Sequence, residues 1–318
     1  MADRPSVEIA RIIGAPIDAN HPVSVELAAI CNVEPSVAPG EKVWTFTPDD
    51  ANGVDKIYAA GSNGEILTVK VALSGLTELS FAYCQSKLEY VLVQELLESP
   101  DQGALARRKV SMGRAMDKTE LKRVLDLVLA LDGSTGIPDQ EVVRGTGVDI
   151  YDLIVAMTRK VSPYGDNYVL LTGIDADNEI EDFDKANADN FYTPVSIKTL
   201  LANKGITKIK VYEEIQIRNA ADNSGNNVPV LATDKMILVA RNSKLLAGMP
   251  IVFLRRQISS LVANAGGDTD VKERGLYTAE TPTVLYNGDT LTHGYGVFGF
   301  ESIIEAILNY RAVCWASI

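Results

Sequence analysis

The sequence predicts an α+β fold: one long helix, a strand-rich front, and a back half where helices and strands alternate. Three observations lead there. Between residues 104 and 131 apolar side chains recur at three- and four-residue steps. Residues 41–75 hold β-branched and aromatic runs split by turn residues. From about residue 147 helix-type and strand-type patterns follow one another. The chain has 318 residues, 46% hydrophobic and 23% charged, enough to bury one large core or two lobes.

Residues 1–40 carry Pro5, Pro16, Pro22, Pro35 and Pro39. Each proline removes a backbone donor and restrains the residue before it. Apolar patches such as Val25–Ile30 lie between them, so the segment reads as an extended arm with one short helix. Such an arm needs another surface for its apolar groups, on its own chain or on a neighbour's. Residues 43–47, 57–60 and 66–73 read as strands, with Gly61-Ser62-Asn63-Gly64 as a hairpin-type turn. We read 41–75 as a long two-stranded loop. A lone hairpin is marginal in water, so a projecting one requires pairing or cover.

Residues 81–97 are apolar and fit strand and helix equally, up to the breakers Pro100 and Gly103. The clearest helix follows at 104–131, with Leu105, Met112, Met116, Leu121, Val124, Leu125, Val128 and Leu129 on its apolar stripe. At ~1.5 Å per residue it is about 40 Å long, a spine for a flat subunit. Gly133-Ser134-Thr135-Gly136 stops it. Further on we expect a helix at 150–159, a buried strand at 168–171 and a helix after Pro194. Strands are expected at 209–217, 229–231, 235–239 and 251–254, and a loop at 264–270. The end reads as a strand at 283–286, a Gly-rich turn, an apolar helix or strand near 303–308, and a strand at 313–318.

Net charge is −12, the wrong sign for gripping phosphates, so tight nucleic-acid binding is not expected. The three cysteines, Cys31, Cys84 and Cys314, are far apart in apolar stretches and read as buried free thiols. No apolar run reaches the roughly 18 residues of a membrane helix, and residues 1–5 lack a signal pattern.

Candidate chemistry is sparse. Residues 294–299 match G-x-G-x-x-G, but only 19 residues follow Gly299 (318 − 299), too few for the strand and ribose-binding acid of a dinucleotide site. Asp175, Asp177, Glu179, Glu181, Asp182 and Asp184 alternate in a way that suits Ca²⁺, but Ile180 stands where a calcium loop wants glycine. We read this segment as a solvated acidic loop. His21 and His293, the only histidines, sit in loop-like settings and support no nucleophile–base pair. Arg107, Arg108, Lys109, Arg114, Lys118, Lys122 and Arg123 line the long helix. Asp101, Asp117, Glu120 and Asp126 interrupt that stripe, which reads as a solvated face or as ion pairs to neighbouring subunits. No catalytic, cofactor-binding or metal-binding residue is assigned.

The order of these parts resembles the HK97-like major capsid proteins of tailed bacteriophages over nearly the whole chain. The Pro-rich 1–40 resembles the N-terminal arm, and 41–75 the extended loop that overlaps a neighbouring subunit. The helix with its Gly133–Gly136 stop is similar to the spine helix. Residues 147–269 resemble the axial domain; 76–146 with 270–318, including the tail at 310–316, resemble the peripheral domain. The resemblance implies pentamers and hexamers that build an icosahedral shell around a DNA genome. It implies assembly in the host cytoplasm, scaffold and portal partners, a possible decoration protein, and no enzyme activity. The family's helical, charged scaffolding segment does not precede the arm, which implies a separate scaffold or none. Lys56 and Lys70 lie in the loop without a motif that fixes a cross-link acceptor. An encapsulin-type compartment shell shares the fold, and a metal-dependent enzyme built on 175–184 is the remaining alternative.

Overall fold

The computed structural model describes residues 23–34, 43–46, 77–80, 82–85, 89–92, 104–187, 196–218, 225–243, 248–256, 274–281 and 294–318. The first elements are helix α1 (Val25–Ile30) and strands β1 (Cys31–Val33), β2 (Val43–Phe46), β3 (Thr77–Ser80), β4 (Ala82–Gln85) and β5 (Glu89–Leu92). Helices α2 (Ala104–Leu129) and α3 (Ile150–Val161), strand β6 (Gly165–Thr172), and helices α4 (Ile174–Asn187) and α5 (Ile197–Lys204) come next. Strands β7 (Thr207–Lys210), β8 (Glu214–Arg218), β9 (Gly225–Pro229), β10 (Lys235–Ser243) and β11 (Ile251–Arg255) follow. The series ends with β12 (Arg274–Thr281), β13 (Gly294–Ile307), a 3-10 turn at Tyr310–Ala312, and β14 (Val313–Ser317).

The apolar patch of the arm finds its cover on its own chain. Ser24 caps α1 by accepting from the Leu27 N–H at 3.2 Å. Leu27 and Ile30 are fully buried. Cys31 opens a strand that runs parallel to β11, opposite Ile251. The rest of the arm lies outside the described residues. Strands β2 and β3 pair antiparallel and bracket residues 47–76. The strands expected at 57–60 and 66–73 fall within that undescribed span. The ambiguous stretch 81–97 contains β4 and β5, both paired with β13.

Helix α2 has 26 residues, and Met116, Leu121, Val124, Leu125 and Val128 on its expected stripe are buried. Beyond its end Gly133 (φ 76°) and Gly136 (φ 83°) take left-handed conformations that side chains resist. The Ile137 N–H then closes a turn onto the Ser134 carbonyl at 2.8 Å.

Two sheets carry most of the strands. One has four strands in the order β14–β10–β6–β7; the other has six, β1–β11–β13–β12 with β4 and β5 also on β13. The smaller sheet is buried on both faces, because its strands carry apolar residues at consecutive positions and alternation sends them to opposite sides. Val169, Leu171, Ile237, Val239, Val313 and Trp315 face α1, α2 and the larger sheet. Tyr168, Leu170, Met236, Leu238, Ala240, Cys314 and Ala316 face α3, α4 and α5.

Several expectations change. Residues 294–299 are strand rather than turn. Gly294 pairs with Thr281 on one side and Leu92 on the other, so strands on both flanks override glycine's weak propensity. Residues 175–184 are helix rather than loop, because Ala176, Asp177 and Ile180 form a buried stripe at helical spacing. The strand expected at 209–217 splits in two, where the buried Val211 turns to donate to the Thr172 carbonyl. The strand expected at 229–231 is instead β9, which ends at Pro229. Strand β12 was not foreseen, and the segments 264–270 and 283–286 lie outside the described residues. β11 belongs to the larger sheet, and β14 enters the smaller one because the 3-10 turn carries the chain across.

Candidate functional site

The acidic helix α4 was the leading candidate for metal chemistry. Five of the six acidic residues, Asp177, Glu179, Glu181, Asp182 and Asp184, are instead engaged within the chain, and Asp175 is exposed. Asp177, 1% exposed, accepts from Lys208, from Lys210 at 2.6 Å and from the Tyr212 hydroxyl. Burial pushes the Asp177 carboxyl up, but these hydrogen bonds outweigh it and hold the group below the usual carboxylate range. Correspondingly, hydrogen bonds to Asp177 and Glu181 raise Lys210. Glu179 pairs with Arg144 at 2.7 Å and Asp182 with Lys185 at 3.3 Å. Asp184 reaches across to α5 and accepts from the Ile197 and Lys198 N–H groups at 2.6 and 3.2 Å. It supplies the cap that Ser196, with no side-chain cap bond, does not. Among the described residues no group of three or more His, Cys, Asp or Glu is arranged to hold a metal ion.

Three described residues of the basic stripe of α2 pair within the chain. Lys118 meets Glu213 at 3.6 Å, Lys122 meets Asp126 at 2.9 Å, and Arg123 binds Glu305 on β13. These are ion pairs within the subunit. Deeper, Glu120 (0% exposed side chain) and Arg255 (4%) make a two-pronged pair at 2.8 Å between helix and larger sheet. Its members are 135 residues apart, so no local pattern announces it.

A groove of about 560 Å³ lies between α4, α5 and β7, floored by Ile180, Leu201 and Ile206 and rimmed by Glu181, Lys198 and Lys208. Burial raises the thiol of Cys31, and pushes that of Cys314 up to about 12 against a small opposing effect of Lys160. Both are free and buried, a setting that disfavours the thiolate. His21 and His293 lie outside the described residues. Among the described residues no helix is long and apolar enough to cross a membrane.

One surface cluster was not anticipated. The Arg311 guanidinium lies 5.5 Å from the Tyr164 ring centre and 5.7 Å from that of Tyr310. A Tyr-Arg dipeptide at 310–311 was its only sequence trace, and Tyr164 is remote from it in the chain.

No family model matches the chain, and no curated protein matches it. Solved structures do. A protein of Microbacterium phage Oxtober96 is 13% identical, with 96% of this chain and 93% of that one covered and a TM-score of 0.55. The capsid of cyanophage P-SCSP1u is 12% identical, with 95% and 90% covered and a TM-score of 0.54. The capsid of an empty GTA particle is 9% identical, with 95% and 94% covered and a TM-score of 0.54.

Proposed function

We propose, from the HK97-like capsid fold that this chain has, that it is the structural subunit of an icosahedral virus shell. The observation that carries this is the shared fold over 95% of the chain with phage and particle capsids. In this reading the chain forms pentamers and hexamers in the host cytoplasm and encloses a DNA genome. Scaffold and portal proteins join it, with or without a decoration protein. It performs no catalysis. The net charge of −12 suits a wall that does not hold DNA. The enzyme alternative needed the acidic segment as open metal ligands, and lysines, Arg144 and the α5 amides occupy five of its six carboxylates, all but Asp175.

We infer a divided role for the arm. Residues 25–31 serve the subunit's own core. Residues 1–22 and the loop spanned by β2 and β3 are the parts we assign to neighbouring copies.

Electron microscopy and light scattering of the purified chain test the proposal. Closed particles of megadalton mass are expected; a monodisperse single subunit at all concentrations would overturn it. Particles that load a tagged cargo protein would point to the encapsulin-type compartment instead. Deleting residues 1–22 should cut particle yield while the melting of the subunit stays as it was; unchanged yield removes the arm's role.

A further inference from the structure

The two ends of the four-stranded sheet differ in chemistry. Tyr164 directly precedes β6, and Asp175 follows its far end. At ~3.3 Å per residue the 8 residues of β6 span about 26 Å. At the first end Arg311 stacks on Tyr164 and Tyr310, and its Nε donates to the Tyr310 hydroxyl at 3.3 Å. The turn beneath is held rigid. Asn309, 3% exposed, accepts from the Arg311 N–H at 3.1 Å and donates to the Ser243 hydroxyl at 2.8 Å. All three ring and guanidinium side chains remain partly exposed. Arg159 is exposed on the last turn of α3, and Arg241 lies in β10 at the same sheet end. Asp166 is there too, accepting from Asn242 at 2.8 Å.

The opposite end is acidic. Asp175 is exposed in the first turn of α4. Asp234, just before β10, and Glu213, just after β7, have side chains 46% and 57% exposed. Glu214 beside it is exposed as well. Lys118, Lys210 and Lys235 are also here, the first 3.6 Å from Glu213, the second held on Asp177 and Glu181, the third over the Trp315 ring at 4.8 Å and 3.5 Å from Asp234.

We propose that these ends meet between copies: Arg311, framed by Tyr164 and Tyr310, receives the carboxylates around Asp175 of the next subunit. This rests on the self-assembly reading above and adds the residues that meet. A two-fold contact through either end would set like charge on like, so complementarity selects a head-to-tail arrangement, which closes into a ring or runs on. Tyrosine and arginine are the residue types that anchor interfaces, and a stacked guanidinium loses little freedom on binding.

The test uses the full chain, with particle yield read by light scattering and folding by thermal melting. Arg311→Glu and Asp175→Arg should each lower yield about tenfold or more at ~0.15 M salt with melting unchanged. The double variant should recover most of it. Wild-type yield from Arg311→Glu, or a double variant no better than the singles, overturns the contact. If Arg311→Glu melts early, exposed Asp175→Arg decides alone, and wild-type yield from it overturns the contact. A wild-type chain that never assembles sinks the shell reading itself, whereas normal assembly of all variants sinks this contact only.

Discussion

The four-stranded sheet is covered on both faces, but by different parts of the chain. On one face the cover is Ile150, Leu153, Ile154, Met157 and Val161 of α3, Ala176 and Ile180 of α4, and Ile197, Leu200 and Leu201 of α5. These segments directly flank β6 and β7. On the other face the cover comes from Leu27, Ile30, Leu121, Val124, Leu125, Val128, Ile251, Phe253 and Ile303. That face is a seam where arm, spine helix and larger sheet meet, and it is bordered by the Glu120–Arg255 pair. The lesson is one of dependence: the helical face is closed by neighbours in sequence, while the seam requires every distant part to be present.

This contrast is open to measurement. Phe253→Ala should cost about 4 kcal/mol in denaturant unfolding, the largest effect expected of a seam residue. In hydrogen exchange it should loosen β1, β11 and β13 more than α3–α5; equal loosening would show that the two faces open as one unit and erase the contrast. Glu120→Ala should follow at about 3 kcal/mol, because it leaves the Arg255 charge buried. Replacing both by methionine should recover most of that loss, and a double variant as unstable as the single would mean that the pair itself, not the stranded charge, holds the seam.

On the helical face Asp177→Asn should cost about 2 kcal/mol, since Lys208 and Lys210 lose their anion. The Asp177 carboxyl is held below its unfolded value. Its contribution is therefore complete above about pH 4 and fades as pH falls through the lower folded value. The variant should show a flatter acid limb of stability against pH; identical limbs would deny the carboxylate its role. The smallest change is Ser24→Ala, about 1 kcal/mol from the lost cap, with faster exchange confined to α1 and β1.

The features that the sequence made legible were those with a local cause. Helix α2 shows its stripe and its glycine stop, and α1 and α5 follow their prolines and apolar patches. Misreadings arose where distant partners decided. The glycines of 294–299 look like turn residues until strands from residues 89–92 and 274–281 flank them. Asp177 looks solvated until lysines 31 and 33 residues further on neutralise it (208 − 177 and 210 − 177). Glu120 and Arg255, or Tyr164 and Arg311, share no spacing that a pattern could register.

Strand β1 has a kinetic consequence. Cys31 pairs with Ile251 across 220 residues (251 − 31), and closing so long a loop comes late in folding. Until it closes, the β11 edge stands open, and the same segment of any other molecule fits it with the same register. Dilute refolding should favour the chain's own segment, and concentrated refolding should produce exchanged pairs.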